Sequence, residues 1–340
     1  MKDWKSILKE DSTKWLLEED NPSVRYFTLT EIFDKPQNGP EVKLAKIAIM
    51  NKGLVPKIID KMNGGGYWET PPSFYTAKYK GTVWQLIILA ELCADGTDCR
   101  VKKACEFLLE NSQHDESHGF SIAKAKKTGG GRQSGVIPCL TGNMVWSLIR
   151  LGYLDDPRVQ AGISWITTFQ RFDDGEGALK GWPYDKYEMC FGKHSCHMGA
   201  AKAVKALAEI PPEKRDTKTE ATIKVGAEYF LKHQIYKKSH NLAKVSKPGW
   251  LRFGFPLMYQ DDALEVLGIL TNLGYKDERM QEAVDLVVSK QDAEGRWKLE
   301  NTYNGRFQTN IERKGEPSKW ITLNALKALK GYYGNKRNLP

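Results

Sequence analysis

The sequence predicts an all-α fold, an α/α toroid in which about six inner helices ring a central cavity and six outer helices form a second wall. Two kinds of helical segment alternate along the chain, one apolar on most sides and one carrying a single apolar stripe. The same punctuation of Gly, Asp and a later Gln recurs between them. Period-two alternation is scarce, so strands have little to be built from.

The first kind of segment is seen at residues 84–92 (WQLIILAEL), 143–151 (NMVWSLIRL) and 262–273 (DALEVLGILTNL). A helix apolar on most sides is buried on most sides. The second kind is seen at residues 101–112 (VKKACEFLLENS) and 280–290 (MQEAVDLVVSK), where one face is charged. Between the two stand Gly96, Asp98 and Arg100; Gly152, Asp156 and Arg158; and Gly274, Asp277 and Arg279. Each Asp is placed to cap the outer helix that follows. That helix then runs to Gln113, Gln170 or Gln291. Inner helices are expected to start near residues 23, 80, 139, 194, 258 and 318. Their spacing of roughly 55–65 residues fills 1–340 as one toroid domain.

Composition narrows the function. Hydrophobic residues make up 41% and charged residues 27%, which suits a globular chain rather than a disordered one. No apolar run approaches the length of a membrane span, and the amphipathic start lacks a signal peptide's apolar stretch, so a cytoplasmic protein is expected. The six cysteines are read as reduced thiols. Lysines are spread along the chain and the one tight basic cluster is at residues 123–132, so nucleic acid is not an expected partner. The formal charge of +9 is compatible with an anionic small molecule. The GGG runs at 64–66 and 129–131 match no P-loop and are read as loops. The Asp173–Asp174–Gly175–Glu176 stretch is read as a calcium-tolerant turn.

Gln291-x-x-x-Gly295-x-Trp297 resembles the Gln–Trp repeat of squalene and other terpenoid cyclases, with looser copies at Gln113, Gln170 and Gln234. The resemblance implies the α/α toroid shared by those cyclases and the protein prenyltransferases, with a structural role for the motif. The acid motif D-x-D-D of squalene cyclases and the D-x-C of protein prenyltransferases do not occur here. Asp261-Asp262-x-x-Glu265 is similar to the D-D-x-x-E string of another class of terpene synthases.

The candidate site is expected where the inner helices start, taken here as the mouth of the cavity. His194, His197, Tyr259, Asp261 and Asp262 are the candidate catalytic groups, as base, hydrogen-bonding partner and acid. Asp262 is equally a helix cap. Cys190, Cys196 and His197 supply thiol and imidazole ligands of the kind zinc takes, provided the helix reaches back to residue 190. Trp84, Gln85, Cys139, Asn143 and Trp320 are candidate substrate contacts. The expected function is acid–base or metal-assisted chemistry on a hydrophobic, terpenoid-like substrate. The alternatives are a non-catalytic hydrophobic-ligand protein, and a polysaccharide lyase using Asn143, His197, Tyr259 and Arg252.

Overall fold

The computed structural model describes residues 4–334 apart from residues 176, 178 and 187. In chain order its first helices are α1 (Thr13–Leu16), α2 (Pro22–Phe27), α3 (Pro40–Asn51), α4 (Leu54–Ile59), α5 (Thr82–Glu91) and α6 (Cys99–Ser112). Then come α7 (Pro138–Arg150), α8 (Pro157–Phe169), α9 (His197–Ala208), α10 (Thr217–Lys232), α11 (Ala263–Asn272), α12 (Gln281–Ser289) and α13 (Lys319–Tyr333). The one sheet among the described residues is a small hairpin, β1 (Lys237–Lys238) with β2 (Asn241–Val245).

Six helices form the inner ring. α5 packs on α7, α7 on α9, α9 on α11, α11 on α13 and α13 on α2. The Ser23 hydroxyl closes the circle by donating to the Leu92 carbonyl just beyond α5, at 2.7 Å. In α5 every residue from Thr82 to Ala90 is buried, which is why the sequence there has no polar face. α12 instead buries only Ala283, Val284 and Val287 and leaves its charged side in solvent. The outer wall consists of α3 on α2, α6 on α5, α8 on α7, α10 on α9 and α12 on α11. α13 takes its outer partner from the far end of the chain, the 3₁₀ turn Trp4–Ile7 and α1. The result is the double-walled all-α toroid that the alternation predicts.

The punctuation has a mechanical role. Asp98, Asp156 and Asp277 accept backbone N–H bonds from Arg100, Arg158 and Arg279 at 2.8, 2.8 and 2.9 Å. Each arginine folds back onto the same carboxylate at 2.7 Å. Arg158 also reaches Glu106 on α6 at 2.8 Å, and Arg279 reaches Glu228 on α10 at 2.6 Å, tying an outer helix to its predecessor. Gln113 makes a similar tie, donating to the Arg158 carbonyl at 2.7 Å. Gln291 accepts from the Lys9 backbone at 3.0 Å and donates to the Ile7 carbonyl at 3.2 Å. Gln170 reaches the adjacent Arg171 carbonyl and bridges less far. Gly295 has φ +66° and its missing Cβ would stand 2.1 Å from the Glu10 carbonyl oxygen, so the turn admits only glycine.

Where the chain's two ends meet, three lysines of α13 reach across. Lys319 pairs with Glu18 at 2.7 Å and with Asp20, Lys327 pairs with Glu31 at 2.6 Å, and Lys330 pairs with Asp34. No helix of the described residues is long and apolar enough to cross a membrane.

Two inner helices start later than expected, at His197 rather than near 194 and at Ala263 rather than near 258. Cys196 and Asp262 are their N-caps, and the preceding residues run as loops.

Candidate active site

A cavity of about 980 Å³ lies inside the ring. Glu91 and Cys93, Arg150, Ala208, Asn272, Gly331 and Thr30 bring the C-terminal end of every inner helix to its wall. Of the inner-helix starts, where the sequence places the site, only those of α11 and α13 contribute, through Asp262 and Trp320. Carbonyl groups left without helical partners gather at C-terminal ends, so the wall carries the negative poles of six helix dipoles. The cavity deepens along α11 and α13 to Asp262, Phe255 and Trp320.

The deep end is aromatic. Phe255 stacks on Trp320 with ring centroids 4.2 Å apart and planes 7° from parallel. Phe27 meets Trp320 edge-on at 6.3 Å. The indole N–H of Trp320 has no hydrogen-bond partner among the described residues. Nearer the helix ends, Lys205 Nζ sits 3.9 Å from the centre of the Trp146 ring.

Asp262 caps α11 and also lines the cavity. One carboxylate oxygen accepts from the Glu265 N–H and the other from the Gly254 N–H, both at 2.9 Å. Burial raises its pKa to about 7 against the pull of those two amides. At neutral pH it holds a proton a substantial part of the time, in a setting where both oxygens are already fixed by donors.

Asp261 points elsewhere, into a buried chain of charges between α9 and α11. Lys202 Nζ lies 2.7 Å from Asp261 and 2.6 Å from Glu265. Lys205 Nζ lies 2.9 Å from Glu265 and 2.7 Å from Glu91. Burial drives the Asp261 pKa well above the carboxylate range, against the pull of Lys202. Glu265 resists burial because Lys202 and Lys205 hold it low. Three carboxylates facing two ammonium groups are balanced when one proton stays between Asp261 and Glu265. Asp261, Asp262 and Glu265 therefore do not act as one acidic string: one caps a helix and the other two face lysines.

The remaining predicted residues lie outside the cavity. Trp84 donates to the Tyr75 carbonyl at 2.9 Å, Gln85 to the Tyr79 carbonyl at 2.8 Å and Asn143 to the Met258 carbonyl at 3.1 Å, so they brace loops against inner helices. The Tyr259 hydroxyl is 3.4 Å from that of Tyr79, and its ring stands 5.0 Å from Lys78 Nζ. His194 is exposed. His197 Nδ1 is 3.2 Å from the Tyr229 hydroxyl and its ring meets His233 edge-on at 4.3 Å. Burial pushes the His197 pKa down to about 3, so the ring is neutral. Asn143, His197 and Tyr259 thus enter three separate contacts instead of framing an open cleft.

The zinc set does not assemble. Among the described residues no three His, Cys, Asp or Glu side chains come together as a metal-binding group. α9 starts at His197, so residues 190, 194 and 197 do not share a helix face. The Cys190 and Cys196 thiols hydrogen-bond each other, while His197 turns to Tyr229. Cys139 lies near both thiols on α7, and burial pushes its pKa up to about 12. At the 173–177 loop, Arg171 pairs with Asp173 at 2.6 Å, and Asp174 meets Lys232 at 3.3 Å and the His233 ring at 2.8 Å, so both carboxylates already have partners. Glu176 lies outside the described residues.

Lys202, Lys205, Glu91, Phe255, Phe27 and Trp146 are absent from the sequence-derived set. The lysines have a sequence signal, since they stand three apart in the otherwise small and apolar GAAKAVKALA.

No family model and no curated protein matches the chain. Among solved structures it is similar to the type II terpene cyclase MstE from Scytonema, at 13% identity and TM-score 0.42, over 92% of this chain and 87% of that one. A variant of that cyclase bound to geranylgeranyl dihydroxybenzoate aligns at 12% identity and TM-score 0.43, over the same shares. A protein from Actinoplanes aligns at 14% identity and TM-score 0.32, over 84% of this chain and 99% of that one. At these scores the assignment of a toroid stands on the chain's own helix contacts.

Proposed function

We propose that the chain is an enzyme that protonates a neutral, hydrophobic, terpenoid-like substrate, with Asp262 as the acid, and that residues 1–340 work as one toroid domain. The observation that carries this reading is the Asp262 carboxyl, 1% exposed, in the wall of a cavity whose deep end is aromatic. A carboxylic acid with its pKa near the working pH is suited to donate a proton. Transfer to a carbon–carbon double bond leaves a carbocation on the substrate and a carboxylate on Asp262. The two backbone N–H groups on that carboxylate stabilise the charge as it forms. The faces of Trp320, Phe255 and Phe27 attract the cation. Loss of a proton or capture by water then completes an isomerisation, cyclisation or hydration.

Charge argues for a neutral substrate over an anionic one. With Asp262 holding its proton, the lining has five lysines and arginines (Arg150, Lys205, Lys276, Lys327 and Lys330) balanced by five further carboxylates. With the helix C-termini added, the interior is no attractor for a diphosphate but favours a developing cation.

Asp262→Asn is the test. Asn is as good an N-cap as Asp, so the helix start is kept while the acid is lost. Turnover of an unphosphorylated polyprenyl substrate should fall at least about a hundredfold with unfolding unchanged. Ligand binding without turnover in either protein would favour the non-catalytic reading.

A further inference from the structure

We propose that Cys196 is a thiol–disulfide exchange site, with Cys190 as its resolving thiol and a low-molecular-weight disulfide as its substrate. The site stands at the start of α9, the end of that helix away from its contribution to the cavity wall. The π-helical turn Glu188–Gly192 and the loop behind it bring the two cysteines together: the Cys196 N–H donates to the Cys190 carbonyl at 3.3 Å, and the two thiols hydrogen-bond. Both are partly exposed, so a small reagent can reach them.

The two sulfurs are not equivalent. Cys196 is the N-cap of a twelve-residue helix, so its sulfur stands at the positive end of α9, where the backbone amides of Met198 and Gly199 favour negative charge on it. The Cys190 thiol is the donor in the shared bond, and the Lys247 ammonium favours negative charge on either sulfur. These contacts stabilise a thiolate on Cys196, the form that attacks disulfides. Its pKa falls below the ordinary thiol value, whereas burial lifts the thiols of Cys105 and Cys139 to about 12. Those two are spectators.

The exchange balances in two steps. The Cys196 thiolate attacks one sulfur of the small disulfide, forming a mixed disulfide and expelling one small thiolate. The Cys190 thiol loses its proton to solvent and attacks the Cys196 sulfur, forming the Cys190–Cys196 bond and expelling the second small thiolate. Each of these takes up a proton, so two protein thiols are oxidised while one small disulfide is reduced to two thiols.

The test uses the reduced native chain and oxidised glutathione, followed by alkylation and peptide mapping. The expected product is a Cys190–Cys196 link with two glutathione thiols released per chain, while Cys105 and Cys139 stay free. In Cys190→Ser the reaction should stop with glutathione held on Cys196, formed about tenfold faster than any adduct on the exposed Cys99. A Cys139–Cys196 link, modification of Cys99 ahead of Cys196, or a folded Cys190→Ser chain without an adduct at Cys196 would overturn the assignment. The native-chain mapping needs no substitution, so a variant that fails to fold leaves the test intact.

Discussion

Lys202 stands 2.7 Å from Asp261 with their side chains 1% and 0% exposed, an ion-pair contact wholly inside the wall of the ring. Removing the cation leaves Asp261 without a counter-ion and Glu265 with Lys205 alone, whereas removing the acid takes away one of three carboxylates that share two ammonium groups. Lys202→Ala should therefore lower unfolding free energy by about 3 kcal/mol, and Asp261→Asn by about 1 kcal/mol. Urea unfolding of both variants checks this; equal losses would mean that Asp261 is a full anion.

Asp262 should couple stability to pH. Its folded pKa of about 7 lies above the ordinary 3.8, so the folded chain binds the extra proton. The contribution is complete below pH 4, falls progressively as pH rises from 4 and is lost once pH passes 7, a change on the order of 4 kcal/mol. The stability difference between the native chain and Asp262→Asn, followed from pH 4 to 8, isolates this group because Asn does not titrate. A flat difference would place the Asp262 pKa in the ordinary range. Turnover should decline above pH 7 for the same reason.

Trp320 is expected to matter twice. Trp320→Leu leaves a void beside Phe255 and should lower stability by about 3 kcal/mol. It also removes the ring face nearest the deep end, and kcat/KM should fall roughly tenfold to a hundredfold. Trp320→Phe keeps a ring and should recover most of the activity. Equal activity in the Leu and Phe variants would argue against any role for the aromatic face.

Gly295→Ala tests the turn that seats the N-terminal segment. The new methyl meets the Glu10 carbonyl in a left-handed backbone, so a loss of roughly 2 kcal/mol is expected. Limited proteolysis should show the cut concentrated near residues 4–16.

The helices and their alternation are legible in the sequence because they are written locally: all-apolar inner segments, Asp caps and Gln ends repeat at a near-constant interval. Asp262 is likewise legible, as the acid before ALEVL. The cavity's location is not. Whether the starts or ends of inner helices stay open depends on which side chains fill the middle, and Trp84, Gln85 and Asn143 turn out to be fillers at the starts. The zinc expectation rested on a helix reaching back to residue 190, and the loop before Cys196 removes that premise. Lys202 and Lys205 pass unnoticed because a lysine on a helix ordinarily signals solvent, and only their positions in a run of small and apolar residues say otherwise.

Five of the ring's six junctions are crossed by the peptide chain itself. At the sixth, between α13 and the segment from Glu18 to Asp34, there is no covalent continuity, and Lys319, Lys327 and Lys330 serve as the fasteners. Exposed contacts of this kind weaken with ionic strength, while the buried packing and buried ion pairs at the other junctions are screened far less. The barrel thus has a built-in weak seam, and unzipping under salt or mechanical load would begin there, with the chain's own ends parting first.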